Sequence, residues 1–279
     1  MKPKKTPEQA PDRLAVLERI RAYEQEGGEA FFCNVEEDPP SRPILPHEVD
    51  YLGEKPATRL GTALASLIES VAGAVLSRTH EITVVGEEHI AALTGGMILT
   101  SNHFAKDESL CVRLAVKRAG RRRLYKVVRE GNFFMRGVIG FLLRYCRTLP
   151  LSSNLHTMQK LDRALATLLA RGECVLVYPE QAMWWNYQKP REYRIGAYHW
   201  AAKHGVPVVP CFVTLSPIEG KLGADGFPVM RYTVHVMPPL HPDPAASVRK
   251  NAERMRAENK RLCLAKYEEV YGHAPTYGE

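Results

Sequence analysis

Between residues 81 and 237, short runs of strand-forming residues alternate with stretches of helical periodicity, and this alternation limits the possible folds more than any other feature. Because strands separated by helices are usually connected in parallel, the pattern predicts an α/β fold with a mixed, mainly parallel sheet flanked by helices. The predicted strands are 81–85, 97–101, 124–128, 173–178, 206–213 and 231–237. The predicted helices between them are about 108–119, 133–145, 155–170 and 195–204.

The segments outside this region complete the organisation of the chain. Residues 12–26 have a charged pattern that predicts an N-terminal amphipathic helix, and five prolines from Pro39 to Pro56 indicate an irregular connector. The expected parts of the chain are the N-terminal helix and Pro-rich connector at 1–57, an amphipathic helix at 58–78, the α/β domain at 79–245 and a helical tail at 246–279.

The helix expected at 58–78 has an apolar side and a polar side that includes Glu69. Two interpretations are open: the apolar side packs on the domain core, or it lies in the interface of a membrane. Because a charged residue is costly in hydrocarbon, we expect this helix to lie on a membrane rather than to span one. The apolar residues at helical spacing are Leu60, Leu64, Leu67, Ile68, Val71, Ala74 and Val75.

Composition and charge limit the possible classes of protein. The 45% hydrophobic content argues against a disordered chain, and the first residues, MKPKKTPEQAPDR, lack the apolar core of a secretory signal. Six scattered cysteines without a Cys-x-x-Cys pair indicate neither a zinc site nor a disulfide framework, so no metal is expected. The net charge of +7 favours an anionic partner, and nucleic acid, anionic lipid and a phosphate-rich co-substrate all satisfy it.

Polar residues follow the predicted strand 97–101, and the ends of strands are where ligands bind in open α/β sheets. Asn102 and His103 come first, and Asp107 and Glu108 stand at the start of the next helix. A histidine with an acid one helical turn later can form an oriented pair that accepts a proton from a hydroxyl group. The alternative is structural, because acids at that position also stabilise a helix N-terminus.

Two further blocks lie at strands of the same predicted sheet. The strand 173–178 runs into Pro179 and Glu180, which places a carboxylate at the sheet edge, although a surface loop is the simpler alternative. In the fifth predicted strand, Pro207 and Pro210 lack the N–H that a central strand requires. These prolines indicate an edge strand or the beginning of a strand.

In order and spacing, these three blocks resemble the glycerophospholipid acyltransferase family, and in particular its lysophosphatidic acid acyltransferases. That family has Asn-His, four residues and Asp, then a Phe-Pro-Glu-Gly-Thr-Arg block after a strand, and later a Val-Pro-Val-Val-Pro strand. The resemblance extends from about residue 97 to residue 213. The matching residues are Asn102, His103, Tyr178, Pro179, Glu180, Arg194, Gly196, Gly205, Val206, Pro207 and Pro210.

The resemblance implies an enzyme that moves a fatty acyl chain from acyl-CoA or acyl carrier protein to a hydroxyl group of a lysophospholipid or related lipid. It implies that His103 is the general base, that Glu108 or else Asp107 orients it, and that Asn102 and Glu180 contact the acceptor. No cofactor is implied, because the acyl thioester is a co-substrate. We expect peripheral contact with the cytoplasmic face of a membrane.

Departures from the family pattern concern the acceptor. Gln181, Ala182 and Met183 replace the family's Gly-Thr-Arg, and a second arginine is missing near residues 152–153. Because those arginines are implicated in binding the acceptor's phosphate in the family, their loss argues against lysophosphatidate. It also leaves a catalytically silent lipid-binding relative as an alternative. The residues expected to supply replacement charge are Lys189, Arg191 and Arg194.

Aromatic and basic residues are further candidates for contacts. We expect Trp184, Trp185 and Tyr187 at a lipid interface, and residues 131–147 are either core packing or an acyl-chain groove with a cationic rim. The stretch 109–129 contains no acid and is a solvated face, a nucleic-acid site, or a surface for anionic membrane, coenzyme A or acyl carrier protein. A nucleic-acid partner is not expected, because no recognisable binding motif is present. The basic residues of this stretch are Arg113, Lys117, Arg118, Arg121, Arg122, Arg123, Lys126 and Arg129.

Overall fold

The computed structural model describes residues 8–121 and 123–278. Arg122 of the basic stretch and residues 1–7, on which the secretory-signal expectation rests, lie outside the described residues. The strands are β1 Thr83–Val85, β2 Met97–Thr100, β3 Leu124–Val128, β4 Thr148–Pro150, β5 Cys174–Val177, β6 Val208–Leu222 and β7 Pro228–Val236. The helices are α1 Pro11–Glu26, α2 Pro56–Thr79, α3 Glu88–Ala91, α4 Ser109–Arg118, α5 Glu130–Phe133, α6 Gly137–Tyr145, α7 Leu155–Ala170, α8 Gly196–His204 and α9 Val248–Tyr271.

The described strands form one sheet in the order β1-β7-β6-β2-β5-β3-β4. Neighbouring strands pair in parallel except β6 and β7, which are antiparallel, so the predicted mixed, mainly parallel sheet flanked by helices is confirmed. The sequence pattern does not predict β4, which has only three residues. It also ends β6 at Val213, whereas the strand continues to Leu222, because most residues beyond Leu215 are exposed and carry little apolar pattern.

The sheet buries both of its faces because neighbouring residues of a strand point to opposite sides. In β2, Ile98 packs in one core cluster with Leu161 of α7 and Tyr198 of α8, while the next residue, Leu99, packs in a second cluster with Val112 of α4. This arrangement explains why β2 is apolar and buried at nearly every position. Helices α7, α8 and α9 cover one face, and α2, α3 and α4 cover the other.

Pro210 lies in an interior strand, so the edge-strand interpretation is wrong for this residue. Pro207 directly precedes β6, in agreement with a position at the beginning of a strand. The nitrogen of Pro210 points to the same side of β6 as that of Val208, which donates to the carbonyl of Leu240 outside the β6–β7 ladder. The missing N–H of Pro210 therefore breaks no bond of that ladder. The ladder with β7 begins one residue later, at Cys211.

The N-terminal segment, residues 8–45, crosses the edge of the sheet at which β2 and β5 end. At its start, the N–H of Ala10 donates to the carbonyl of Asp225 in the β6–β7 hairpin (2.9 Å). At its end, the N–H of Ile44 donates to Oγ of Ser152, which follows β4 (3.0 Å). The predicted N-terminal helix is present as α1, and its apolar face packs on Trp184 in the loop after β5.

Helix α2 turns its apolar side outward, so the interpretation in which that side packs on the core is wrong. Leu60 is 75% exposed, whereas Glu69 on the polar side is buried against Lys126 and Arg113. By length and composition alone, α2 is apolar enough to cross a membrane. The neighbouring α6 also exposes apolar residues, and we call the two together the α2–α6 surface. Its residues are Leu60, Leu64, Leu67, Val71, Val75, Val138 and Ile139.

Candidate active site

The loops after β2 and β5 leave the sheet side by side. The two strands pair in parallel, and Thr100 at the end of β2 is in register with Val177 at the end of β5. His103 and Glu180 therefore become neighbours, and the N–H of His103 donates to Oε2 of Glu180 (3.0 Å). Two residues that lie 77 positions apart in the sequence meet at the carboxyl edge of the sheet.

His103 and Glu108 form a hydrogen-bonded pair at this edge. Nδ1 of His103 contacts Oε1 of Glu108, while Oε2 accepts hydrogen bonds from the N–H of Phe104 (2.6 Å) and the N–H of Ala105. The carboxylate is buried, whereas the His103 side chain keeps 22% of its surface exposed. Because the carboxylate holds a proton on Nδ1, Nε2 is free to accept a proton from a bound hydroxyl group.

Asp107 occupies a different environment. It is exposed, and within the described residues its carboxylate forms no hydrogen bond or ion pair with His103. Glu108 directly precedes α4, and its side chain reaches back over the turn to the N–H groups that it accepts. The geometry therefore pairs His103 with Glu108 and directs Asp107 to solvent.

Tyr178 is a site residue that the sequence pattern alone does not assign. Its ring stacks on the imidazole of His103, with the centroids 4.2 Å and the planes 14° apart. Burial, followed by the charge of Glu108, raises the pKa of Tyr178 well above its ordinary value, so the phenol is neutral. It forms a wall that orients the imidazole ring. The signal that identifies it is its place at the end of β5, directly before Pro179 and Glu180.

Asn102 holds the loop after β2 to the sheet. Its Oδ1 accepts a hydrogen bond from the N–H of Val213 (2.8 Å), and its Nδ2 donates to the carbonyl of the same residue (3.0 Å). Both polar atoms of the carboxamide are therefore hydrogen-bonded to β6, and the side chain is buried. Asn102, predicted to contact substrate, is thus placed where it positions the neighbouring His103.

Glu180 and Arg191 form a buried ion pair beneath the site. Nη2 of Arg191 lies 2.9 Å from Oε2 of Glu180, and the N–H of Arg191 donates to Oε1 (3.1 Å). Nη1 donates to the carbonyl of Phe31 in a 3₁₀ turn of the N-terminal segment (2.7 Å). Burial lowers the pKa of Arg191, and the Glu180 carboxylate opposes this effect. The pair therefore connects the loops after β2 and β5 with the N-terminal segment.

Comparisons with known proteins agree with this architecture. No curated protein matches the chain. The fold is similar to the crystal structure of the 1-acyl-sn-glycerophosphate acyltransferase PlsC from Thermotoga maritima, with a TM-score of 0.52 and 17% sequence identity, over 81% of this chain and 87% of that protein. Residues 81–214 match the family model Acyltransferase. Residues 81–214 therefore form an acyltransferase domain, and the chain has the fold of a glycerophospholipid acyltransferase. In this acyltransferase, His103, Glu108 and Glu180 fall within the matched residues, whereas α1 and α9 lie outside them.

The cations expected to replace the family's arginines are paired within this acyltransferase. Nζ of Lys189 lies 2.5 Å from Glu24 of α1, and both Nη atoms of Arg194 bond to Glu29 of the N-terminal segment. Arg191 is occupied by its buried ion pair. The structure therefore joins all three cations to carboxylates of the protein, and two of these carboxylates come from the N-terminal segment.

The two tryptophans that follow Gln181, Ala182 and Met183 support the N-terminal segment. Trp184 is fully buried, its ring stacks on Phe31 (5.8 Å), and its Nε1 donates to the carbonyl of Cys33 (2.9 Å). The expectation that Trp184 lies at a lipid interface is therefore wrong. Trp185 is only partly exposed, and the guanidinium of Arg13 lies over its ring at 4.8 Å. The aromatic residues directly after Met183 thus pack against the N-terminal segment.

The basic stretch is largely neutralised in the part of the chain that the structure describes. Arg121 donates to the backbone carbonyls of Leu93 and Gly95, and other members of the stretch pair with acids. Lys117 and Arg118 remain exposed on α4. A continuous unpaired basic surface is not formed by these residues. The ion pairs of the stretch are Arg113–Glu69, Lys126–Glu69, Arg123–Glu173 and Arg129–Asp38.

Proposed function

We propose that this acyltransferase moves a fatty acyl chain from the thioester of acyl-CoA or acyl carrier protein to a hydroxyl group of a lysophospholipid or related lipid. The observation that carries the proposal is the pair of His103 and Glu108 at the carboxyl edge of the sheet. It provides a partly exposed imidazole with a fixed tautomer, as general-base catalysis requires. Neither a metal nor a further cofactor is part of the proposal.

The proposed reaction is a direct transfer. Nε2 of His103 takes the proton of the lipid hydroxyl group as its oxygen attacks the thioester carbonyl, and Glu108 stabilises the imidazolium ion that forms. The tetrahedral intermediate then collapses, the carbon–sulfur bond breaks, and the imidazolium returns its proton to the departing thiolate. Backbone N–H groups stabilise the oxyanion. Those of Phe104 and Ala105 are bonded to Glu108, so the donors are other N–H groups of the site.

The test is direct detection of product. Purified protein is incubated with labelled acyl-CoA or acyl carrier protein and a mixed lysolipid extract, and the lipids are analysed by mass spectrometry. We expect a labelled diacyl lipid with at least one donor. If neither donor yields an acylated lipid at any protein concentration, the protein is a catalytically silent relative.

We predict that Glu108→Gln lowers kcat/KM far more than Asp107→Asn. An amide can donate to Nδ1 and so favours the wrong tautomer of His103, whereas Asp107 is exposed. The expected loss is about 10²-fold or more for Glu108→Gln and at most about twofold for Asp107→Asn. Both variants are compared at one fixed donor concentration. The reverse ranking would assign the orienting role to Asp107.

We also predict that lysophosphatidate is not the best acceptor. Met183 stands where the family has its arginine and Trp184 follows it, and neither makes the bidentate bonds to phosphate that arginine makes. The replacement cations Lys189, Arg191 and Arg194 are paired with carboxylates. A lysolipid with a larger head group, or a glycolipid, is therefore expected to compete well.

The acceptor prediction is checked with one fixed donor and a panel of acceptors. The measured quantity is the ratio of kcat/KM for lysophosphatidate to that for each other acceptor. A preference for lysophosphatidate of about a hundredfold or more, which corresponds to about 2.7 kcal/mol, would contradict it. In that case the ion pairs of Lys189 and Arg194 must open to admit the phosphate.

We propose that the α2–α6 surface rests on the cytoplasmic face of a membrane without crossing it. The polar side of α2 is held by the domain, because Ser66 bonds to Arg147 (2.9 Å) and Glu69 bonds to Lys126. A spanning position would break these bonds and place Glu69 in hydrocarbon. The apolar side is already free to enter the interface.

Membrane release tests this peripheral contact. High salt or alkaline carbonate is expected to free the protein, and Leu64→Gln with Leu67→Gln is expected to weaken partition to lipid vesicles about tenfold or more, since each leucine loses its apolar contact. The matched control is Leu155→Gln, an exposed leucine at the start of α7, which should change partition by less than about twofold. Extraction by detergent alone would show that the contact is not peripheral.

A further inference from the structure

A cavity of about 420 Å³ lies between the connector and helices α5 and α6, apart from the candidate active site. Its walls include Thr148 and Pro150 of β4. Strands β5 and β3 separate β4 from β2, so the cavity lies about 14 Å or more from the strand that leads to His103. It also takes in aromatic residues of the segment 131–147, which the proposed chemistry does not use.

The cavity is lined by three cations and two carboxylates, so it presents an excess of positive charge. Arg42 is held by both oxygens of Glu48, and Asp50 accepts hydrogen bonds from the backbone N–H groups before α2. Nζ of Lys55 donates to the carbonyl of His47 at 3.4 Å and lies within electrostatic reach of Asp50, and Arg144 donates from Nε to the carbonyl of Phe133. Across residues 8–121 and 123–278, neither Lys55 nor Arg144 pairs with a carboxylate. These two side chains are free to bind an anion.

The walls beside these cations are aromatic. Phe133 and Phe134 meet edge to face, with their centroids 5.5 Å apart. Tyr145 closes the wall towards α2, where a Cβ atom on Gly61 would come within 2.6 Å of its ring. Gly61 is next to Leu60, the most exposed leucine of the α2–α6 surface. The cavity thus adjoins the apolar surface that we assign to the membrane.

We propose that this cavity is an accessory site for the phosphate head group of an anionic membrane phospholipid. Lys55 and Arg144 bind the phosphate, and the acyl chains of the lipid remain in the bilayer along the α2–α6 surface. A lipid is favoured over a soluble phosphate ester because the cationic rim is continuous with exposed apolar helices. The inference rests on the membrane contact of the proposed function and adds a specific head-group site to it.

The test is partition to vesicles of phosphatidylcholine with and without phosphatidylglycerol. The wild-type protein is expected to bind the anionic vesicles more tightly, and Lys55→Gln with Arg144→Gln should remove about tenfold or more of that preference, since each cation near an anionic surface contributes. The matched control is Arg163→Gln with Lys250→Gln, two exposed cations on α7 and α9. This control should change the preference by less than about threefold, because neither residue lines the cavity.

Three outcomes decide the proposal. Equal losses in the two double variants would show diffuse attraction and overturn it. Displacement of the protein from anionic vesicles by millimolar inorganic phosphate or coenzyme A would assign the site to a soluble phosphate ester instead. Acyl transfer in neutral detergent micelles should be the same for the wild type and the Lys55→Gln, Arg144→Gln variant. If the wild type itself shows no transfer, the proposed function is wrong. The vesicle measurement still decides whether the cavity binds an anionic lipid.

Discussion

Replacing His103 with alanine is expected to lower the rate of acyl transfer by about 10²–10⁴-fold while leaving the protein folded. Its imidazole is partly exposed and is the base of the proposed mechanism, and its Nδ1 is held by Glu108. Loss of the ring removes the atom that accepts the hydroxyl proton but leaves the backbone N–H that donates to Glu180. The rate is measured with saturating donor and acceptor.

Two further variants make this result specific. His103→Gln keeps a hydrogen-bond donor for Glu108 but has no basic nitrogen, so it should be as inactive as the alanine variant. His199→Ala removes an exposed histidine of α8 and should retain activity within about twofold. Thermal unfolding is recorded for each variant. Near-normal transfer by folded His103→Ala would exclude His103 from the mechanism.

Replacing Arg191 with methionine is expected to reduce the free energy of unfolding by about 3–5 kcal/mol. Arg191 is fully buried, and its removal leaves the carboxylate of Glu180 without its charged partner. It also removes the bond to the carbonyl of Phe31 that attaches the N-terminal segment. Denaturant unfolding at neutral pH measures the loss.

The exposed ion pair of Arg194 and Glu29 supplies the control. Arg194→Met should cost about 1 kcal/mol or less, because an exposed pair contributes little. Adding Glu180→Gln to Arg191→Met should recover part of the loss, since no buried charge is then unpaired. If Arg191→Met costs no more than Arg194→Met and instead raises KM for the acceptor, Arg191 binds substrate rather than supporting the fold.

The sequence predicts most of the sheet and the positions of the principal site residues. The strands β2 and β5 are apolar runs, and His103 and Glu180 follow them directly. The carboxyl ends of parallel strands lie at one edge of a sheet. If β2 and β5 are neighbours, the loops that follow them must therefore meet. The pairing of Glu108 with His103 is also local, since the two residues are five positions apart.

Other features lie beyond a reading of local pattern. The short β4 has three residues, which is too few to show a period. The spacing of α2 shows an apolar stripe but does not show which way it faces, because that depends on the buried bonds of Glu69 to Lys126 and Arg113. Tyr178 becomes a site residue only when β5 lies beside β2.

The sequence by itself determined most of the strands, the longer helices between them and the histidine–acid pair, because these depend on side-chain periodicity and on residues a few positions apart. Only the tertiary structure decided which charges are free. Lys189 and Arg194 each meet an acid 165 positions earlier in the chain, and such partners are chosen by the path of the N-terminal segment over the sheet. The same folding left Lys55 and Arg144 without an ion pair among the described residues, because Glu48 is engaged by Arg42 and Asp50 by backbone N–H groups.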